Sequence, residues 1–264
     1  MFYPASLLSD TSTLIITVIL FIGILVFYLA GSWLGNYQKK NNPDVKAEGV
    51  GPLEGALLGL LALLLSFTFS MSASRYDTRR SLLIQEANNI GTAVLRADMY
   101  PDSIRLEFRK DFQQYLETRI NYYSAGDDEI KIQKTITDAA KISAHIWQRA
   151  TALLKGSSTT LPHSLMIPAL NDMIDVVTSR DAGRLARVPD PIIWLLIILT
   201  LLGSLIIGYS KKEQKNDWIV LSIYSLMTVI TIYTIIDLDR PLQGIIRTNT
   251  AHQKIIELRN LFNK

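Results

Sequence analysis

Residues Gly51 to Asn89 read GPLEGALLGLLALLLSFTFSMSASRYDTRRSLLIQEANN, and in them an apolar run of membrane length passes without a break into a charged segment. Between Leu53 and Ser74 the only ionisable side chain is that of Glu54. A helix needs roughly 20 consecutive apolar residues to cross a bilayer. The stretch therefore predicts a transmembrane helix that continues beyond the membrane as a charged helix.

Small and hydroxylated residues repeat along one face of this predicted helix. Glycines in its first half leave room for the backbone of another helix, and hydroxyls in its second half need hydrogen-bond partners inside lipid. The face consists of Gly51, Gly55, Gly59, Ser66, Ser70 and Ser74.

Two hypotheses account for this face. In the first it packs against a neighbouring helix, since hydroxyls spaced four residues apart in membrane helices usually bond their own backbone or a neighbour. In the second it lines a water-filled pathway, with Ser66 and Ser70 beside the rings of Phe67 and Phe69. The residue types alone leave both hypotheses open.

Composition narrows the class of protein. The chain has 264 residues, 48% of them hydrophobic, and no cysteine, which excludes disulfides and thiolate metal sites. Its net charge of +3 is too balanced to favour a nucleic-acid partner. His145, His163 and His252 lie far apart in the sequence and form no metal-binding motif. We therefore expect no metal, no cofactor and no nucleic acid.

Four apolar runs predict an all-α membrane protein in which two spans lie on either side of a helical extramembrane domain. The runs are Thr13 to Leu34, Leu53 to Ser74, Ile192 to Tyr209 and Trp218 to Ile236. Apolar residues between the second and third runs recur at helical spacing. The expected parts are 1–74 with two spans, 75–190 as the domain, 191–238 with two spans, and 239–264 as an amphipathic tail.

The first run is expected to stay in the membrane as a span. No basic residue precedes it, and it is longer than the apolar core of a cleavable signal. Tyr28 and Trp33 near its end, followed by Lys39 and Lys40, are typical of an aromatic interface belt and a basic anchor. The linker from Gln38 to Pro52 is expected to be a loop.

Basic residues bear on the orientation in the membrane. Four spans put both termini and the domain on one side and the two short loops on the other. Under the positive-inside rule the short loops are cytoplasmic and the domain faces the periplasm. The loop residues are Lys39, Lys40, Lys46, Lys211, Lys212 and Lys215. Arginines close to span ends on the domain side argue for the opposite orientation: Arg75, Arg79, Arg80, Arg180, Arg184, Arg187 and Arg240.

The run GALLGLLALLLSFTFSMSASRYDTRR from Gly55, followed by EANNIGTAVLRAD, resembles a family of bacterial membrane proteins described as bestrophin-like. A second motif, Leu238 to Pro241 with Gly244, matches the same family. The resemblance covers essentially the whole chain. It implies a multi-pass protein of the bacterial inner membrane.

Bestrophins proper are pentameric anion channels whose second membrane helix lines a pore with an aromatic-rich neck. The resemblance therefore implies a homo-oligomer, a pentamer, that passes anions across the lipid bilayer. The residues it puts at the neck are Ser66, Phe67, Phe69, Ser70 and Ser74. This chain departs from bestrophins in two features. The bestrophin domain is cytosolic, whereas the basic short loops of this chain predict a periplasmic domain. This chain also lacks an acidic cluster resembling the bestrophin calcium clasp.

Charged residues near the span ends have two interpretations. Arg75, Arg79 and Arg80, with Glu86, either attract anions to a pore mouth or anchor the helix among lipid phosphates. Glu86 is expected to reach Arg79 or Asn89 along its own helix. A further group after the fourth span is expected to pair with these arginines and hold the fourth span against the second: Asp237, Asp239 and Arg240.

Enzyme signatures are missing from the sequence: it contains no nucleophile elbow, phosphate-binding loop or zinc-protease motif. Glu86 with Asn88 and Asn89 is a candidate catalytic cluster, but such residues on a long helix more often make inter-helix hydrogen bonds. We expect no catalytic residue and no enzyme.

The leading hypothesis is an oligomeric, anion-selective channel whose pore is lined by the second span. The alternative is a non-conducting membrane scaffold or sensor whose helical domain binds a partner protein. A transporter is less favoured, because no span carries a central charge or a matching Gly/Pro break.

Overall fold

A computed structural model describes residues 11–41, 50–126, 128–154, 160–210, 218–240, 244–246 and 248–263. These residues form helices and their connections, with no strand among them. The helices are α1 (Thr13–Asn41), α2 (Val50–Ala97), α3 (Asp102–Ser124), α4 (Glu129–Leu154), α5 (Thr160–Leu185), α6 (Asp190–Tyr209), α7 (Trp218–Leu238) and α8 (Asn249–Glu257), followed by a short 3-10 helix (Leu258–Leu261). The predicted all-α fold class is confirmed.

Four helical segments are long and apolar enough to cross a membrane. They lie within Thr13–Asn41, Gly51–Ala97, Pro162–Tyr209 and Trp218–Leu238. The apolar run of the third segment is α6. A helix suits these runs because it satisfies the backbone hydrogen bonds of the segment internally, which lipid cannot do.

The chain divides into two compact units. The membrane unit consists of Met1–Ser74 and Arg187–Arg240, and the helical unit consists of Arg75–Ala186 and Pro241–Lys264. Helix α2 runs without a break from Val50 to Ala97 and contributes to both. Each unit has a hydrophobic core of its own.

In the membrane unit, α1 and α6 lie side by side and approach backbone to backbone. A Cβ atom added at Gly31 would collide with the carbonyl group of Leu205, and one added at Gly208 would collide with the backbone of α1. The Ser204 hydroxyl donates a hydrogen bond of 2.5 Å to the carbonyl of Ile24. Small residues permit this closeness, and packing and hydrogen bonds, rather than the hydrophobic effect, hold helices together in lipid.

The aromatic residues near the end of α1 differ from the interface belt predicted for them. Tyr28 is buried in the core of the membrane unit, where its ring centroid lies 6.5 Å from that of Trp218. Trp33 is exposed and stacks on Tyr37. Tyr28 is buried because it continues the four-residue spacing of Ile16, Leu20 and Ile24, the face that α1 presents to the core.

The core of the helical unit is formed by one face of each of its long helices. In α3, Phe108, Phe112 and Tyr115 are fully buried at helical spacing. The C-terminal segment belongs to the same unit, because Ile255 of α8 is buried and Phe262 packs against the core. The amphipathic tail is therefore part of the packing of the helical unit.

Local sequence signals explain several helix ends. Asp128 precedes α4, and its carboxylate accepts a hydrogen bond of 3.0 Å from the backbone N–H of Lys131, as an N-cap residue does. Helix α5 begins at Thr160, so Pro162 lies in its first turn, where a missing N–H costs little.

One further helix end differs from its prediction, and several predicted residues lie outside the described part of the chain. Helix α1 extends to Asn41, so Lys39 and Lys40 lie in its last turn and not in a loop. Several residues named in the predictions lie outside the described part of the chain: Lys46, Lys211, Lys212, Lys215 and Pro241.

We predict that Gly31→Ala destabilises the protein by about 3 kcal/mol, the upper end of the range for overpacking, because the new methyl group meets a backbone carbonyl that cannot rotate away. The measurement is the thermal unfolding midpoint of the purified protein in detergent. The control is Ala30→Val, an exposed neighbour on the same helix, which should change stability by less than about 0.5 kcal/mol. Equal losses in both variants would contradict the close approach of α1 and α6.

Candidate functional site

The membrane-spanning part of α2 is the least covered of the four spans in a single chain. In its most apolar window 17% of the residues are buried, against 33%, 39% and 33% in the other three spans. Lipid, water or another copy of the chain has to cover the remainder. The open surface of α2 is therefore the first candidate for a functional site.

The residues predicted to line a pore all lie on this open surface. They are Ser66, Phe67, Phe69, Ser70 and Ser74. The rings of Phe67 and Phe69 are 59% and 43% exposed. Thr68 and Ser72, on the opposite side of the helix, are buried. The open arc of α2, as we call these five residues, thus joins three hydroxyls and two aromatic rings.

The glycines predicted to pack against a helix lie on the same side of α2. A Cβ atom built at Gly51, Gly55 or Gly59 would meet no atom within 4 Å in the described part of the chain. The described helices of the same chain therefore do not occupy this glycine face. Its packing role stays a prediction, and it requires a partner from outside the single chain.

The charges that follow the open arc fall into two groups. Arg75 is half-buried and Arg80 is exposed, whereas Arg79 and Glu86 are buried in the helical unit. A buried carboxylate can neither face a pore mouth nor meet lipid phosphates, so the prediction for Glu86 is wrong. Its burial follows from its place on the core face of α2, beside Leu83 and Ala87.

Glu86 forms the centre of a buried ion-pair cluster in the helical unit. Its Oε1 accepts a hydrogen bond from Arg119 Nε of α3, and its Oε2 accepts one from Arg180 Nη1 of α5. The side chains of Glu86, Arg119 and Arg180 are 0%, 1% and 7% exposed. These arginines take the place of Arg79 and Asn89, the partners predicted for Glu86 along its own helix. The side chain of Asn89 donates a hydrogen bond of 2.7 Å to the carbonyl of Asp172 instead.

Aromatic residues enclose this cluster. The ring of Tyr122 lies against both guanidinium groups, whose Cζ atoms are 4.9 Å (Arg119) and 4.8 Å (Arg180) from the ring centroid. Cations are attracted to the negative face of an aromatic ring, more strongly where water is excluded. On α8, His252 stacks on Tyr123 with ring centroids 3.9 Å apart. Four helices of the helical unit therefore meet at one set of polar side chains.

Electrostatics of the cluster favour a charged Glu86 and a neutral His252. Burial on its own raises the pKa of Glu86, but the charges and hydrogen bonds of Arg180 and Arg119 outweigh it and bring the pKa below its usual value. Burial and the charge of Arg180 lower the pKa of His252 to about 4, against a smaller opposing effect of Glu86. At neutral pH the cluster thus holds two positive charges and one negative charge.

The acidic residues after the fourth span have contacts within the membrane unit. Asp239 Oδ2 accepts a hydrogen bond of 2.6 Å from the backbone N–H of Val188, just before α6. Arg240 Nη1 donates one of 2.6 Å to the carbonyl of Thr11, just before α1. Asp237 is buried. These contacts fix the starts of two spans, while the pairing of this group with Arg75, Arg79 and Arg80 stays a prediction.

Sequence reasoning missed Arg119 and Arg180 as members of a site. The signal for Arg119 was present, because it lies seven residues after Phe112 and three after Leu116, on the apolar stripe of α3. A charged residue on a stripe that faces a core needs a buried partner. No such signal says which carboxylate provides it, since Glu86 is on another helix.

The described residues contain no group of three or more His, Asp or Glu side chains that could hold a metal ion.

Comparison with known proteins agrees with the helical architecture. The sequence profile of the Bestrophin-like domain matches residues 18–252 of the chain. A variant of a bacterial bestrophin homolog from Klebsiella pneumoniae superposes with a TM-score of 0.69 and 14% identity, over 95% of this chain and 99% of that chain. Another crystal structure of the same homolog gives 0.68 and 15%, over 90% and 98%. No curated protein sequence gives a significant match.

The profile match confirms the resemblance that the α2 motifs indicated. At 14% and 15% identity, the structural likeness shows a common fold.

We predict that Glu86→Gln destabilises the helical unit by about 3 to 5 kcal/mol, because it leaves two buried arginines without a counter-charge. The measurement is the free energy of unfolding of the purified protein. The control is Glu117→Gln, which removes the carboxylate of a largely exposed ion pair with Arg259 and should cost about 1 kcal/mol or less. A loss for Glu86→Gln no greater than that of the control would contradict the role given to the cluster.

We predict that the unfolding temperature falls as the pH is lowered from about 6.5 toward 4, partly through His252. The folded-state pKa of His252 lies below the unfolded value of 6.5, so in this range the unfolded chain takes up a proton that the folded chain excludes. Its contribution is fully present above pH 6.5 and shrinks below it. His252→Phe keeps a ring against Tyr123 and should flatten the profile, whereas His145→Phe, an exposed control, should not. Identical profiles for the two variants would rule out this origin.

Proposed function

The chain belongs to the Bestrophin-like family, and we propose that it assembles into an oligomeric ion channel whose pore is lined by α2. The observation that carries the proposal is the open arc of α2. Its hydroxyls and rings lie on the least covered span of the single chain. Hydroxyls facing lipid would lack partners other than their own backbone, whereas hydroxyls facing a water-filled pathway would be hydrated.

In the proposed pore, the open arc forms a neck. The hydroxyls of Ser66, Ser70 and Ser74 replace part of the hydration shell of a passing ion, and the rings of Phe67 and Phe69 narrow the pathway. Hydrophobic constrictions of this kind gate by wetting and drying. Each ring lies within about two helical turns of every one of the three serines, so one short segment of helix supplies both properties.

We propose that the channel prefers anions. Arg75 and Arg80 follow the open arc directly in sequence, and their side chains are at least partly exposed. Positive charge at a pore mouth raises the local concentration of anions. Family resemblance points the same way, because bestrophins proper conduct anions.

We further propose a homo-oligomer, a pentamer by resemblance, in which copies meet through the glycine face of α2. Gly51, Gly55 and Gly59 leave their side of the helix open, and small residues allow helices to approach closely in lipid. Residues 75–190 form the extramembrane domain. We expect the domain on the periplasmic side of the bacterial inner membrane, following the basic short loops.

Current across a planar bilayer that contains the purified protein, recorded under a salt gradient, tests the proposal. We predict a reversal potential near that of the anion. Phe67→Ala and Phe69→Ala should increase the current severalfold, because they remove the apolar constriction. Phe21→Ala on α1, a similarly exposed phenylalanine, is the matched control and should leave the current unchanged.

Three other outcomes would overturn parts of the proposal. A reversal near the potential of the cation would keep the channel and discard anion selectivity. Equal currents from wild type and both α2 variants would remove the neck assignment. An oligomer that stays silent in every variant, the constriction-free ones included, would favour the non-conducting scaffold or sensor.

A further inference from the structure

The ion-pair cluster around Glu86 is incomplete in two ways. Its charges do not balance, because Arg119 and Arg180 face a single carboxylate whose two oxygens are both used. Glu86 is also the only fully buried carboxylate in the described part of the helical unit. One positive charge therefore stays uncompensated where water is excluded, and a buried unpaired charge strongly disfavours folding.

The hydrogen bonds around the cluster are also incomplete. Among the buried polar atoms of the helical unit, Arg119 Nη1, Tyr115 Oη and His252 Nδ1 have no hydrogen-bond partner within the described part of the chain. Buried polar groups normally have a partner, and an exception points to a water or an ion. Arg119 Nη1 and Tyr115 Oη are donors, and the imidazole nitrogen of His252 becomes one in the appropriate tautomer.

The three residues that carry these atoms all border the ion pairs of Glu86. Tyr115 and Arg119 lie four residues apart on one face of α3. The charges of Arg119, Glu86 and Arg180 all act on the pKa of the Tyr115 hydroxyl, which burial raises. His252 of α8 stacks on Tyr123, the residue next to Tyr122, whose ring lies against both guanidinium groups. The charges of Arg180 and Glu86 also act on the pKa of His252.

The nearest other charges already have partners. Arg184 and Asp181, which act on Tyr122 from α5, pair with each other at 3.1 Å, and Arg184 also binds Glu129. Because these groups pair with one another, they do not supply a counter-charge to the Glu86 cluster. Arg79 on α2 is a further buried guanidinium of this unit, near Gly183 of α5. It has interactions of its own and is not among the charges that act on Glu86.

We propose that the helical unit holds a small monovalent inorganic anion, of the kind of chloride, against Arg119, Tyr115 and His252. A single negative charge offsets the single excess positive charge, whereas a dianion would reverse the imbalance. The ligand is small because the side chains that surround it are almost completely buried. A water molecule could accept hydrogen bonds from two of the three donors and would leave the charge unbalanced.

This site lies within the helical unit and is independent of the proposed pore. Its role is to complete a polar core that joins α2, α3, α5 and α8. The site predicts that the stability of the protein depends on halide concentration, whether or not the protein conducts ions.

Thermal unfolding of the full-length protein in detergent, with bromide replacing gluconate at constant ionic strength, tests the site. We expect the unfolding temperature to rise with bromide by roughly 3 °C for each tenfold increase above the dissociation constant. Tyr115→Phe removes one donor and should raise the bromide concentration needed for the same shift by about tenfold or more. Tyr123→Phe, on the same helix with its hydroxyl bonded to Asn249 at 2.8 Å, should behave as wild type.

Two results would overturn the proposal. One is an unfolding temperature that does not respond to bromide in the wild-type protein. The other is an unchanged bromide response in folded Tyr115→Phe, which would put the binding elsewhere.

Anomalous diffraction from crystals grown in bromide tests the site without a variant. The proposal predicts a bromide peak within hydrogen-bond distance of Arg119 Nη1. Peaks only at the protein surface, which indicate an adventitious ion only, or a water at this position, would overturn it.

Discussion

The ion pair between Glu86 and its two arginines is the interaction on which the helical unit depends. It joins the helix that leaves the membrane segment to α3 and α5 through a carboxylate with no access to water. A buried pair of this kind contributes less to stability than a well-packed apolar core can, but breaking it is costly. It therefore acts mainly as a constraint: α2 has to present Glu86 in one rotation and one register, and the neighbouring helices have to match it.

The membrane unit follows a different principle. Its helices are apolar on all sides, so the hydrophobic effect does not choose their contacts, and small residues do. Gly31 and Gly208 allow α1 and α6 to meet at the backbone. A Cβ atom built at Gly51, Gly55 or Gly59 of α2 would have no atom within 4 Å in the described part of the single chain. This difference between two glycine-bearing helices supports the proposal that α2 packs against other copies and faces a pathway for ions.

Sequence reasoning predicted the elements that depend on local pattern. The four spans were readable from four apolar runs. The continuation of α2 beyond the membrane and the family were readable from the run between Leu53 and Ser74 and the charged motif that follows it. One error is a local helix end, that of α1, and the others concern pairs distant in sequence. The aromatic partner of Tyr28, Trp218, comes from α7, and the partners of Glu86 come from α3 and α5. Helical spacing identifies which residues share a face, but not which face of another helix they meet.

The central claim, that α2 lies where copies of the chain come together, can be tested by cross-linking. The chain has no cysteine, so Ser70→Cys introduces a single thiol on the open arc. Met227→Cys introduces one at an exposed position of α7. In native membranes treated with a mild oxidant or a short bifunctional thiol reagent, we predict covalent dimers of the Ser70→Cys protein and none of the Met227→Cys protein. Dimers formed only through position 227, or through neither position in a preparation shown to be oligomeric, would contradict the account.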